Sequence, residues 1–157
     1  MENKSKLREN GIVLIVLGIL NVLTFVSTVV KSLVDGTVSR GLATVEADIL
    51  VAVEVVLIVL CLIMLFIAGA DILLGVKAIK VSKNPDASKG YITVAKIFTI
   101  LTCIAVVCNI ISMFTGNATS AVDGGVNLAS YSLTLIIYSS FIKSAEAVRN
   151  DYINETK

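Results

Sequence analysis

A chain of 157 residues with 56% hydrophobic content and a mean hydropathy of +0.92 lies well above soluble globular composition, where apolar residues make up about 45–50%. Its formal charge of +1 gives no overall attraction to nucleic acid, and it contains neither histidine nor tryptophan. With no nucleotide loop, no metal-ligand spacing and no nucleophile set beside a base, the sequence argues against an enzyme, a cofactor or a bound metal. The expected class is a single all-α integral membrane domain over residues 1–157.

The first apolar run, Gly11–Val30, follows Lys4, Lys6 and Arg8 and predicts a helix over 11–32. It exceeds a signal-peptide core of about 7–15 residues, and Ser27-Thr28-Val29-Val30-Lys31 lacks a small-x-small cleavage pattern. A retained signal-anchor helix is expected. Asp35-Gly36 and Arg40-Gly41 supply turn chemistry in the connection that follows.

The second run, Ile49–Val76, predicts a helix over 49–79, closed by Asn84-Pro85-Asp86 around the chain's single proline. The third, Tyr91–Phe114, predicts a span over 91–114. After a connection carrying Asn117, Gly124 and Gly125, Val126–Ile142 predicts the fourth, over 126–143, and it is the most polar of the set. A bilayer core of about 30 Å needs roughly 20 apolar residues at about 1.5 Å each, so each run is near or above that length. The fold expected is a bundle of four transmembrane helices.

Ten of the thirteen lysines and arginines fall in the N-terminal tail, the connection between the second and third spans, and the C-terminal tail. By the positive-inside rule both termini are expected in the cytoplasm. Without a eukaryotic sorting signal, the expected address is a bacterial cytoplasmic membrane, crossed several times.

Polar side chains interrupt the spans in stripes. At 100° per residue, Glu54, Cys61, Ala68, Asp71 and Gly75 share one arc of the second helix, and Asn21, Thr24, Thr28 and Lys31 share a face of the first. Lys96, Thr99, Thr102, Cys103 and Asn109 lie on a common side of the third, and Ser130, Thr134 and Tyr138 on one side of the fourth. Measured from the inner boundaries, Asp71 lies about 9 Å deep and Lys96 about 8 Å, whereas Lys31 and Glu54 lie about 30 and 34 Å from that side. Depth thus suggests the ion pairs Asp71–Lys96 and Lys31–Glu54. Asn21, Asn109 and Thr134 are expected in interhelical hydrogen bonds. Cys61, Cys103 and Cys108, at no CxxC spacing, are expected as small core residues.

Two functional classes follow. In the first, the stripes are packing seams of a non-catalytic membrane subunit whose partners are the lipid bilayer and either a second copy or another membrane protein. In the second, Glu54, Asp71 and Lys96 border the water-filled path of a small oligomeric channel or transporter.

Overall fold

The structure, a computed structural model, describes residues 2–34, 47–115 and 121–156. Among these it is all-α, with helices α1 (Glu2–Val34), α2 (Ala47–Lys83), α3 (Gly90–Phe114) and α4 (Ala121–Glu155). Each helix is long and apolar enough to cross a membrane. An 18-residue stretch within each reaches a mean hydropathy of 2.2 in Glu2–Ser27, 2.2 in Cys61–Lys83, 2.4 in Gly90–Phe114 and 1.3 in Gly125–Glu155. The last value reflects the serines and threonine of α4.

α1 and α4 outrun the spans expected at 11–32 and 126–143. At the start of α1, Lys6 pairs with Glu2 at 2.7 Å and Ser5 donates to Glu9 at 3.0 Å, both across one turn, while Leu7 is wholly buried. At the end of α4, Ala145 and Val148 are also wholly buried. An unbroken apolar run locates only the stretch that is apolar on every side. The flanking turns are amphipathic and continue the helix by period.

Between α2 and α3, Pro85 cannot extend a helix and disfavours helical backbone at Asn84. α2 closes with the Asn84 amide donating to the Lys80 carbonyl at 2.9 Å. The Asp86 carboxylate then accepts from the Ser88 amide at 3.0 Å and from Lys77 Nζ at 2.9 Å. Arg149 Nε donates to the Ala87 carbonyl at 3.1 Å, so side chains from two helices pin this short connection.

The chain divides into two compact units. One comprises Met1–Val13 with Leu74–Lys157. Within it α1 and α4 meet antiparallel: Asn3 Nδ2 donates to Asp151 at 3.0 Å, Asn10 Nδ2 to Ser144 Oγ at 3.0 Å, and Ser140 Oγ to Asn10 Oδ1 at 3.1 Å. Asn3, Leu7 and Asn10 repeat at the four-three spacing of a helical seam, and Asn3 and Asn10 are met by Asp151 and Ser144 in reverse order. Gly11 lets α1 approach α2 at backbone contact, since a Cβ there would stand 2.8 Å from the Gly75 carbonyl oxygen. α3 and α4 join through aromatic rings: Tyr91 meets Phe141 edge-on at 6.1 Å and Phe98 lies parallel to Tyr138 at 6.2 Å.

The other unit, Leu14–Leu73, is built on a second close approach of α1 and α2. A Cβ at Gly18 would stand 2.8 Å from the Ala68 carbonyl oxygen and 3.2 Å from Asp71 Cβ. Leu14 and Ala68 are buried.

Large apolar side chains dominate the exposed surface. Phe114, Phe66 and Leu73 are 88, 72 and 71% exposed, and the buried residues of α3 all lie at or before Phe98. So much exposed apolar area is unusual for a water-facing surface.

Candidate functional site

Among the described residues of the Leu14–Leu73 unit Asp71 is a buried acid, at 2% exposure. It sits where Gly18 lets α1 close against α2, and its Oδ2 accepts from Asn21 Nδ2 at 3.4 Å. The spacing explains the meeting. Gly18 and Asn21 lie one turn apart on α1, as do Ala68 and Asp71 on α2, so a small residue and a polar residue on each helix share one face. Small residues bring the backbones together, and the amide then reaches the carboxylate. A carboxylate in such a place is costly unless hydrogen-bonded.

Lys96 occupies the second turn of α3, and its partner differs from the one expected. Its ammonium pairs with Glu146 of α4 at 2.6 Å, rather than with Asp71. The depth count ended the fourth helix at residue 143 and left Glu146 in a tail. α4 continues to Glu155, so Glu146 stands on an ordered turn beside the start of α3. Lys89, Ile92, Thr93 and Arg149 complete the surroundings of the pair, lining a cavity of about 220 Å³ with it.

The remaining polar residues take separate places. Lys31 lies in α1 and Glu54 in α2, but both side chains, and hence their suggested pair, fall outside the described residues. Thr134 Oγ donates to the Ser130 carbonyl at 3.0 Å, within its own helix rather than across to another. Thr99 and Thr102 do the same, to Ala95 at 2.9 Å and Phe98 at 2.8 Å. A threonine hydroxyl in a helix reaches the carbonyl four residues back without any neighbouring helix, which is why a polar stripe overstates interhelical bonding. Asn109 is half-buried on α3, with its carbonyl oxygen enclosed and accepting no hydrogen bond among the described residues. Tyr138, assigned to a polar stripe, is instead 2% exposed against the Phe98 ring.

Cys61 is half-buried on the Ala68 side of α2, whereas Cys103 and Cys108 are exposed thiols and not core residues. They belong to the length of α3 beyond Phe98, where no residue is buried. Among the described residues no cluster of His, Cys, Asp or Glu is placed to hold a metal ion.

Gly11, Gly18 and Glu146 were not singled out by sequence. The glycines repeat at seven residues, and small residues at that interval are the available sign of close helix approach. For Glu146 the sign was the continued helical period of Phe141, Ala145, Val148 and Tyr152 past the apolar run.

Among the described residues these features define an all-α chain with four helices long and apolar enough to span a membrane, some of whose polar side chains meet at helix contacts. No protein-family model matches the chain, and no curated protein or solved structure is similar to it.

Proposed function

We propose that this chain is an integral membrane protein with both termini in the cytoplasm, acting as a non-catalytic, packed subunit that binds a membrane partner. The observation that carries the reading is Asp71. It is enclosed at 2% exposure beside the Gly18 contact and accepts a hydrogen bond from Asn21, an arrangement that holds two helices in register. A conduit would instead keep such a carboxylate open to water. The exposed apolar surface of α3 beyond Phe98 supplies area for lipid and for a second copy or another membrane protein. The sorting of basic residues supports the orientation, and the absence of a eukaryotic sorting motif favours a bacterial cytoplasmic membrane.

The test is ion and proton flux in vesicles reconstituted with the purified protein. Wild type and Asp71→Asn are expected to match empty vesicles. A leak in the wild type that Asp71→Asn abolishes would replace this reading with a small oligomeric channel or transporter using Glu54, Asp71 and Lys96.

A further inference from the structure

The cavity at the start of α3 is built for an anion. Lys89, Lys96 and Arg149 bring three positive charges to its wall, against the one carboxylate of Glu146. Glu146 is engaged by Lys96 at 2.6 Å, and Arg149 uses Nε on the Ala87 carbonyl, which leaves its terminal guanidinium nitrogens for a ligand. Lys89 accepts from Thr93 through its carbonyl, but its side chain has no hydrogen-bond or ion-pair partner among the described residues. It is also the N-cap residue of α3 and makes no side-chain cap, so the helix's positive end faces the same region uncapped.

We infer that this cavity binds the phosphate of an anionic lipid headgroup. At about 220 Å³ it suits a headgroup rather than a whole drug-sized molecule, for which cavities run about 300–1,000 Å³. A soluble phosphate shares the chemistry, but the surface above the cavity favours lipid. Lys89, Thr93 and Lys96 fall in one arc of about 100° on α3 with Ile97, Ile100 and Ile104. Those isoleucines are 52, 60 and 54% exposed, giving an apolar track along which an acyl chain can lie while its headgroup meets the cations. Basic pockets between transmembrane helices recognise anionic headgroups on this principle. The inference rests on the proposed membrane embedding, and the proposed orientation makes the cytoplasmic leaflet the source of the lipid.

The experiment is native mass spectrometry of the full chain in detergent, titrated with phosphatidylglycerol or phosphatidylcholine. Phosphatidylglycerol is expected to be retained in preference. Lys89→Glu should weaken that retention at least about five-fold, Lys89→Arg should preserve it, and Lys80→Glu, outside the cavity, should change it less than about two-fold. The Lys89 side chain is exposed and makes no hydrogen bond or ion pair among the described residues that the substitution would break. Equal retention of the two lipids, or equal losses from Lys89→Glu and Lys80→Glu, would overturn the site. Displacement of phosphatidylglycerol by millimolar inorganic phosphate would overturn the lipid assignment in favour of a soluble anion. Failure of the membrane reading itself is separable, because the protein would then stay monodisperse without detergent.

Discussion

Two glycines in the Leu14–Leu73 unit have opposite surroundings. A Cβ on Gly18 would meet the Ala68 carbonyl oxygen at 2.8 Å, whereas one on Gly69 would meet nothing within 4 Å. The obstacle at Gly18 is backbone, which cannot swing aside as a side chain can. Gly18→Ala is therefore expected to destabilise the protein by about 1–3 kcal/mol through overpacking. Gly69→Ala should stabilise it by roughly 0.5–1 kcal/mol, because alanine loses less backbone freedom in a helix interior. Thermal unfolding of both variants in detergent checks the contrast, and an unchanged Gly18→Ala would remove the close approach of α1 and α2. Asp71 and Asn21 were legible in the sequence because a polar residue in an apolar run has to point at protein. Gly18 was not, because one glycine among leucines and isoleucines carries no polarity, and its meaning depends on the residues opposite.

At the scale of elements, the existence of the helices was legible and their ends were not. Apolar length reveals a span, but α1 from Glu2 and α4 to Glu155 are extended by ion pairs and by single buried residues such as Leu7 and Val148. The partner of Lys96 went astray for the same reason. Lys77 holds the Asp86 carboxyl below the usual carboxylate range through a hydrogen bond at 2.9 Å, with the Ser88 amide acting in the same direction. A carboxylate depressed in the folded state stabilises the fold above its unfolded value and loses that contribution as pH falls through the folded one. Both side chains are 40% exposed, so solvent screening limits the pair to about 0.2–1 kcal/mol. Asp86→Asn should be less stable than wild type by that amount at neutral pH. The gap should shrink once pH drops below about 4, the unfolded carboxylate range. A gap independent of pH would mean that Asp86 acts by shape alone.

For the molecule as a whole, the sequence reads as four spans, and the described residues form four helices of sufficient length and hydropathy. Orientation rests on ten basic residues gathered in the two tails and the connection around Pro85. In a background without native cysteines, Asn84→Cys and Asn154→Cys are expected to resist an impermeant thiol reagent in intact cells and to react after permeabilisation. Labelling of Asn84→Cys in intact cells would invert the topology.

The central claim, that the Asp71 stripe is a dry packing seam, meets its most direct test at Cys61. This thiol is half-buried on the same face of α2 as Ala68, and thiolate formation requires water. With Cys103 and Cys108 replaced by alanine, small water-soluble thiol reagents are applied from each side of the native membrane. Cys61 is expected to stay unmodified from both sides. Rapid modification from either side would contradict the packed seam and make the stripe a water-filled path.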